Sequence, residues 1–345
     1  MMIYKYQDSP NVNWFKFKKK KNLTPNFPNV LKTFMGRDAL NIFLWNIKDR
    51  FKIQRALIPA YICPEVPQQF KRNNIDVIYY DIKNFLIDQK DIEPFLEMKF
   101  DIFYFVHYFG IYQRYIQDII KQIKERNPNV IIIEDRAHYL SDKLITDDVD
   151  AVIYSFRKLL PIPEGGGIYT KQKLFFRKRS RIYSNILATL IVLKKKFIGH
   201  NPKFSRENII QDSKKESNLL LLPSNLSQRV IDFYDLEWNI NFRKELFNMW
   251  LEESIKFGIE PVFHNIGKYD IPQGFPIFVH NSKKVFTKML EKGIYLKRHW
   301  ELPEEIKSIA PNSYSISNKI ITLPIYENIN KADINFILSS LKYLI

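Results

Sequence analysis

Segments of two kinds alternate along the chain between residues 39 and 156. Five short apolar segments have the length and the β-branched or aromatic content of strands: ALIPAYI, DVIYYDI, DIFYFV, NVIII and DAVIY. Between them lie segments in which apolar residues recur every three or four positions, such as QRYIQDIIKQIKERN, a pattern typical of amphipathic helices. Strands that are apolar on both faces and separated by helices predict a parallel sheet covered by helices, an α/β fold.

The length and the change of pattern along the chain predict more than one domain. At roughly 150 residues per domain, the 345 residues suffice for about two domains. We expect an N-terminal arm over residues 1–30, a large α/β domain over residues 31–243 and a small C-terminal α+β domain over residues 244–345. The hydrophobic content of 46% excludes a disordered chain, because so much apolar surface does not remain in water.

The chain is basic, with 53 Lys and Arg residues against 37 Asp and Glu residues and a net charge of +16. Such a charge attracts phosphates, nucleic acid or anionic lipid in general. Because lysine is frequent throughout, we interpret most of the excess as ordinary surface charge and expect no nucleic-acid partner. The one cysteine, Cys63, excludes an intrachain disulfide and a cysteine-rich zinc site, and we expect no metal site.

Two apolar patterns bear on location. The first fifteen residues lack the apolar segment of a secretory signal, and with the single cysteine this favours a cytoplasmic protein. The apolar run at residues 186–193 is shorter than the roughly 20 residues that span a bilayer, so no transmembrane segment is predicted. It predicts a helix that is buried or lies in a dimer interface. An amphipathic helix on a membrane surface is the alternative.

Polar side chains follow three of the predicted strands. His107 follows DIFYFV, Asp135 and His138 follow NVIII, and Ser155 and Lys158 follow DAVIY. Because the carboxyl ends of parallel strands meet at one edge of a sheet, these side chains are expected near a common crevice. Each of them alone is better explained as a helix cap, a buried histidine or a surface cation, so the argument rests on their coincidence.

The segment SFRKLLPIPEGGGIYTK narrows the chemistry. It holds Lys158 between a predicted buried strand and a turn rich in proline and glycine. An amine in such an apolar, restricted place can have a lowered pKa, which suits Schiff-base chemistry, and consecutive glycines let the backbone approach a ligand or partner closely. A loop that merely turns the chain is the alternative interpretation.

These motifs together resemble the DegT/DnrJ/EryC1/StrS family of sugar aminotransferases, which use pyridoxal 5'-phosphate (PLP). In that family the cofactor lysine stands six residues before the Glu of a GEGG-like turn, as Lys158 stands before Glu164. EDRAH at residues 134–138 is similar to the family's motif around the acid that binds the cofactor ring, and IPAYICPEV, VHYFG and LPIY follow the family's order. The resemblance covers residues 32 to 345 and implies the PLP-dependent transferase fold type I.

The resemblance also implies roles for individual residues. Lys158 would hold the cofactor as an internal aldimine and move the substrate proton, and Asp135 would pair with the pyridinium nitrogen. Further cofactor-binding positions are implied around the ring and the phosphate: His138 beside the ring, Tyr61 or Cys63 stacking on it, and Ser155, Gly36, Arg37 and Asp38 at the phosphate.

Several positions depart from the family's pattern. Arg37 stands where a threonine hydroxyl usually binds phosphate, and a guanidinium can replace it. The stretch from Ser155 to Lys158 is two residues shorter than is common, and Arg136 replaces a small residue. PSNLSQR only faintly resembles the segment that reaches the neighbouring subunit's phosphate, which makes Asn225 the candidate residue there.

The function that the resemblance implies is transfer of an amino group from Glu or Gln to a nucleotide-linked keto sugar, in surface-polysaccharide or related biosynthesis. His299 and Trp300 are candidate substrate residues, and a homodimer with sites at its interface is expected. One alternative is a PLP enzyme that acts on a non-sugar ketone. A second is a non-catalytic, basic protein that binds polyanions, which would draw on the net charge, the altered phosphate motif and Arg136.

Overall fold

The structure is a computed structural model that describes residues 4–5, 24–141, 147–197 and 218–345. Most of the predicted N-terminal arm, residues 1–30, therefore lies outside the described residues. The strands are β1 Tyr4–Lys5, β2 Leu31–Thr33, β3 Arg55–Pro59, β4 Asp76–Tyr80, β5 Ile102–Val106, β6 Ile131–Arg136, β7 Ala151–Tyr154, β8 Gly166–Thr170, β9 Arg177–Lys178, β10 Leu219–Leu220, β11 Phe275–Phe278, β12 Ile294–Tyr295 and β13 Ile320–Leu323. The helices are α1 Gly36–Ile47, α2 Glu65–Arg72, α3 Gln89–Ile92, α4 Ile116–Arg126, α5 Arg181–Phe197, α6 Asn225–Phe233, α7 Leu236–Lys256, α8 Ser282–Glu291, α9 Ile306–Ile309, α10 Pro311–Lys319 and α11 Lys331–Leu341.

A seven-stranded sheet forms the centre of the described N-terminal part. Its strand order is β2-β8-β7-β6-β5-β3-β4, in which β4, β3, β5, β6 and β7 run parallel and β8 is antiparallel to both of its neighbours. Every residue of β5 and β6 is buried, as expected for strands covered by helices on both faces. The predicted α/β fold with a mostly parallel sheet is confirmed.

Helix α1 begins where β2 ends, beside the antiparallel strand β8. The Asp38 carboxylate closes its first turn by accepting a hydrogen bond from the backbone N–H of Met35 at 3.0 Å. An acid in the first turn is stabilised by the positive end of the helix dipole. The apolar face of α1 lies against the sheet, so the amino end of this helix has a fixed position beside the ends of β7 and β8.

The run of three glycines allows β8 to pass this helix at close range. A Cβ atom on Gly166 would collide with the backbone of Met35 and Gly36, and one on Gly167 would collide with the side chain of Val30. The backbone N–H of Gly165 donates to the carbonyl of Phe34 at 2.7 Å. The glycine motif therefore serves an approach of backbone to backbone.

The C-terminal part has its own hydrophobic core. Strands β11 and β13 pair antiparallel, and helices α7, α8 and α11 supply the side chains around them. Helix α7 belongs to both parts, because its first residues pack against the core of the large sheet and Leu246, Phe247 and Trp250 pack into the second core. The predicted domain boundary at residue 243 lies inside this helix and stays a prediction.

Helix α5 contains the apolar run that the sequence analysis singled out. Its buried side chains include Leu187 and Ile191, whereas Ile182, Ile186 and Leu190 on another side are 70%, 53% and 47% exposed. No helix of the described ranges is both long enough and apolar enough to cross a membrane.

Candidate active site

A cavity opens at the carboxyl ends of β5, β6 and β7, where the sequence predicted a crevice. Its empty space amounts to about 760 Å³ when the solvent at its mouth is included. Side chains and backbone from both ends of the chain line it: Met35, Gly36, Arg37, Leu40, Ile62, Cys63, Glu65, Val66, Tyr104, Val106, Asp135, Ala137, His138, Ile153, Ser155, Arg157, Lys158 and Trp300.

Asp135 lies at the floor of this cavity. Its Oδ2 accepts a hydrogen bond from the Tyr104 hydroxyl at 2.6 Å, and its Oδ1 accepts one from the Ala137 backbone N–H at 2.7 Å. Burial raises the pKa of the Asp135 carboxyl, although both hydrogen bonds and the Lys158 amine oppose that rise. A carboxylate offers about four lone-pair sites, so Asp135 retains acceptor capacity toward the cavity.

The neighbours of Asp135 in β6 point to the opposite face of the sheet, because side chains alternate along a strand. There the Arg136 guanidinium binds the Glu134 carboxylate through two nitrogens, one of them at 3.1 Å. His107 Nε2 lies 2.9 Å from the same carboxylate. Arg136, Glu134 and His107 form a buried cluster behind the sheet, and none of them lines the cavity.

Lys158 lies in a single 3-10 turn, Phe156–Lys158, that follows β7 directly. Strand β7 neighbours β6, which carries Asp135. The Lys158 amine and the Asp135 carboxylate therefore line the same cavity. Burial lowers the pKa of the Lys158 amine to about 8, and the nearby cations Lys297 and Arg157 act in the same direction. A much larger fraction of this amine than of an ordinary lysine is therefore neutral, and so nucleophilic, near physiological pH.

Ser155, Gly36 and Arg37 meet at another part of the wall. A Cβ atom on Gly36 would lie 2.8 Å from the Tyr154 carbonyl oxygen and 3.4 Å from Ser155 Cβ, so only glycine fits between α1 and β7. Ser155 is 6% exposed, and its hydroxyl makes no hydrogen bond to any described residue. A hydroxyl at the cavity wall beside a helix amino end is a suitable environment for an anion.

The Arg37 guanidinium also reaches this wall. Its Nη1 lies 2.8 Å from Glu65 Oε2, at the start of α2, and both side chains line the cavity. Burial raises the pKa of the Asp38 carboxyl to about 6, with the neighbouring Arg37 opposing the rise. Asp38 binds the Met35 N–H and does not line the cavity, so its place is in the helix cap.

His138 presents a hydrogen-bond donor to the cavity. Its Nδ1 accepts the backbone N–H of Phe109 at 3.3 Å, so the neutral ring carries its proton on Nε2. Burial, with the Lys158 charge, holds the pKa of this imidazole well below its usual value, and the ring therefore stays neutral. Nε2 has no hydrogen-bond partner among the described residues, although His138 is almost completely buried.

Of the two candidates for a stacking side chain, Cys63 lines the cavity and Tyr61 does not. Tyr61 is fully buried behind the wall, where its ring contacts Phe85, Tyr108 and Trp300. The aromatic surface of this part of the cavity is supplied by Trp300 instead.

The two candidate substrate residues lie differently. Trp300 lines the cavity, stacks on His138 with a ring separation of 5.4 Å and lies 5.9 Å from Lys158 Nζ. His299 is buried behind it, with Nδ1 2.8 Å from the Thr322 hydroxyl and its ring against His138. His299 therefore supports the wall and does not face the cavity.

Asn225 lies outside the cavity, at the start of α6. Its backbone N–H donates to Asn185 Oδ1 at 3.0 Å, and its own Oδ1 accepts from Arg181 Nη1 at 3.3 Å. Both partners belong to α5. Asn225 therefore adjoins the helix with the exposed apolar face.

Three polar residues that line the cavity, Tyr104, Arg157 and Glu65, were not predicted from the sequence. Tyr104 precedes Val106 by two positions in β5, so the alternation of the strand could have placed it on the cavity side. Arg157 directly precedes Lys158, but in a chain with 53 Lys and Arg residues a single arginine carries no specific signal. Glu65 depends on how α2 packs beside α1, for which the sequence carries no local signal.

The structure of this chain is similar to several solved structures. No protein-family model and no curated protein matches the sequence. Spr1654 of Streptococcus pneumoniae, assigned as a sugar aminotransferase and solved in its PLP form, is 15% identical, with a TM-score of 0.65 over 93% of this chain and 88% of that chain. A protein of Bacillus cereus assigned as a PLP-dependent aminotransferase is 16% identical, with a TM-score of 0.63 over 99% of this chain and all of that chain.

A third similar structure is DesI, solved in the presence of its TDP-sugar product. It is 13% identical, with a TM-score of 0.64 over 91% of this chain and 80% of that chain. At these identities the likeness establishes the fold. The chain has the fold of the PLP-dependent aminotransferases, as its sequence motifs predicted.

Proposed function

We propose that this protein is a PLP-dependent aminotransferase of the DegT/DnrJ/EryC1/StrS type. The single observation that carries the proposal is that the Lys158 amine and the Asp135 carboxylate line one cavity at the ends of neighbouring strands. Two of the similar solved structures, those assigned as aminotransferases, support it.

The cavity residues suit each polar part of PLP. The Ser155 hydroxyl, the amino end of α1 at Gly36 and the Arg37 guanidinium would hold the phosphate. The unpartnered His138 Nε2–H would donate to an acceptor on the ring. Asp135, with its remaining acceptor capacity, would accept a hydrogen bond from the protonated ring nitrogen, and the positive charge there would offset the cost of burying this carboxylate.

PLP, when bound, supplies an electron sink for negative charge on the substrate carbon next to the nitrogen. The residues of this chain would do the rest. Lys158 would act as the nucleophile and would carry the proton between substrate atoms, for which a pKa of about 8 is well matched to neutral pH. Asp135, oriented by the Tyr104 hydroxyl, would keep the ring nitrogen protonated.

We propose a keto sugar linked to a nucleotide as the amino acceptor, and Glu or Gln as the donor. The similar protein DesI was solved with its TDP-sugar product, which supports this substrate class. In the cavity, Trp300 offers an aromatic surface for a sugar ring and Arg157 offers a cation for a phosphate or carboxylate. Surface-polysaccharide or related biosynthesis would be the setting of such a reaction.

We propose further that the chain forms a homodimer through α5. Ile182, Ile186 and Leu190 recur at four-residue intervals and form one exposed apolar stripe on this helix. A stripe of this kind calls for a partner surface. Asn225, the residue expected to reach the neighbouring subunit, adjoins the same helix through its bond to Asn185.

The position of Arg136 does not favour the alternative of a non-catalytic protein that binds polyanions. Arg136 is 1% exposed and is paired with Glu134 behind the sheet, so it contributes nothing to a surface that binds anions. A PLP enzyme for a non-sugar ketone would use the same cavity floor, and the choice between acceptors is made by experiment.

The test supplies the PLP-loaded protein with glutamate carrying ¹⁵N and with a panel of nucleotide-linked keto sugars and free keto acids. We expect ¹⁵N in an amino sugar nucleotide, detected by mass spectrometry, and none with the Lys158→Ala variant. Transfer to free keto acids alone would favour the non-sugar alternative. Absence of any transfer by a protein that fails to bind PLP would contradict the proposal.

A further inference from the structure

Arg243 lies in α7, outside the cavity, where this helix passes from one hydrophobic core to the other. The residue is 2% exposed. Its Nη2 donates to the Leu159 carbonyl at 2.8 Å, its Nη1 to the Pro272 carbonyl at 3.2 Å and its Nε to Asn239 Oδ1 at 2.9 Å. Hydrogen bonds from a charged donor are stronger than neutral ones, and a planar guanidinium fixes the relative positions of its acceptors.

The first of these bonds acts on the turn that carries Lys158. Leu159 follows Lys158 directly, so its carbonyl marks the end of the Phe156–Lys158 turn. The Asn239 amide lies 3.4 Å from the same oxygen and adds a second, longer contact. Helix α7 thus holds the backbone carbonyl of the residue that follows Lys158 in the chain.

The second bond acts on a different segment of the chain, the one that contains Pro272. The residues on either side of Pro272 donate their backbone N–H groups to the carbonyls of Phe109 and Gly110, each at 2.8 Å. The Phe109 N–H in turn donates to His138 Nδ1, the bond that leaves the ring proton on Nε2. One guanidinium therefore connects the lysine turn with the loop that orients His138.

We propose that Arg243 is a positioning residue that fixes the Lys158 amine relative to the His138 ring. It clamps the turn that carries Lys158 to the segment around Pro272, which holds the loop that is hydrogen-bonded to His138. The inference rests on the proposed function, because it assigns Arg243 a part in aligning groups that would act on PLP and substrate. Its physical basis is that a misplacement of about 1 Å in a catalytic group can cost about 100-fold in rate.

The test uses Arg243→Gln, Arg243→Lys and a control, Leu338→Ala. Leu338 is fully buried in the second core and does not line the cavity, so its truncation destabilises the protein without removing a side chain from the cavity wall. Lysine keeps the charge at position 243 but lacks the fork that reaches two carbonyls at once. One readout is the pH dependence of Lys158 acetylation by acetic anhydride, followed by peptide mapping in the absence of PLP. The other is the separation of kcat from KM in the loaded enzyme.

We expect the acetylation midpoint of Lys158 near pH 8 in the wild type and in Leu338→Ala. In both Arg243 variants the released turn exposes the amine to water, so the midpoint should rise by at least about one pH unit toward ~10.4. We also expect kcat to fall at least about tenfold while KM changes less than about threefold. Full activity in Arg243→Lys would show that the charge suffices, and would overturn the clamp.

The outcomes separate this inference from the proposed function. If the wild-type protein does not bind PLP, the proposed function is contradicted. The acetylation midpoints of the unloaded protein still decide the role of Arg243. If Arg243→Gln does not fold, Arg243→Lys decides. A folded variant whose midpoint and kcat match those of Leu338→Ala overturns the inference.

Discussion

At the scale of single residues, the site depends on which way neighbouring side chains point. Asp135 and Arg136 are adjacent in β6, and the alternation of the strand sends the carboxylate into the cavity and the guanidinium behind the sheet. Arg136, one of the departures from the pattern of the family that the sequence resembles, is thus paired with Glu134 and does not line the cavity. The Lys158 amine, in contrast, is held in a place that disfavours its charge.

We predict that Lys158→Met stabilises the unloaded protein at pH 7 by about 1 kcal/mol. Burial disfavours the charged form of the Lys158 amine, and functional residues held in such places often lower the stability of a protein. The folded-state pKa of about 8 is below the unfolded value of ~10.4, so the unfolded state binds more protons between these pH values. The stability of the wild type should therefore rise with pH across this window and approach that of the variant.

Urea denaturation at a series of pH values between about 7 and 10.5 measures this difference. Lys284→Met, at an exposed position of α8, is the matched control and should leave the stability and its pH dependence nearly unchanged. A Lys158→Met variant less stable than the wild type at pH 7 would argue against a desolvated amine.

At the scale of elements, the cavity depends on the contact between β8 and the start of α1. Gly166 lies so close to Met35 and Gly36 that no side chain fits, and this contact fixes the amino end of α1 beside Ser155. The phosphate end of the proposed site is therefore built by backbone packing.

We predict that Gly166→Ala destabilises the protein by about 3 kcal/mol or more, because the added methyl group meets backbone that cannot move away without displacing α1. PLP affinity should fall as well, since the displaced helix end borders the cavity. Thermal unfolding with and without PLP measures both effects.

Gly267→Ala is the matched control, because the nearest atom to its Cβ is a side-chain oxygen of Asp270 at 3.3 Å. A Gly166→Ala variant as stable as Gly267→Ala would contradict the packing argument.

The elements also define what the sequence could predict. Asp135 and Lys158 could be expected together, because each follows an apolar segment with the pattern of a buried parallel strand. The prediction that Trp300 lies at the site depended on the resemblance, because no local sequence pattern places residue 300 near the ends of β6 and β7. Arg243 could not be foreseen, because its contact with Leu159 joins positions 84 residues apart and depends on the path of α7.

At the scale of the whole molecule, the described part of one chain leaves an apolar face without a partner. Helix α5 buries one side in the fold, against Phe34 and Leu221, and exposes Ile182, Ile186 and Leu190 on another. A helix that is apolar on most sides is normally covered. The proposed homodimer would cover it and bring Asn225 toward a second subunit.

We predict that Ile186→Lys converts the protein from dimer to monomer, because an ammonium group in the centre of an apolar contact loses its hydration without gaining a partner. Cofactor affinity should fall with it if the neighbouring subunit completes the site. Sedimentation velocity and PLP titration measure the two effects. Ile255→Lys, at an equally exposed apolar position of α7, should leave the dimer intact. A dimer that survives Ile186→Lys with unchanged affinity would place the interface elsewhere.

In the proposed function, the Lys158 amine and the Asp135 carboxylate act on a single PLP molecule in this cavity. Borohydride reduction of the PLP-loaded protein followed by peptide mapping tests the amine directly, since reduction fixes the cofactor to the lysine that binds it. We expect a pyridoxyl group on Lys158 in the wild type and its loss in Lys158→Met. A pyridoxyl group on a different lysine, or none on the folded wild-type protein, would contradict it.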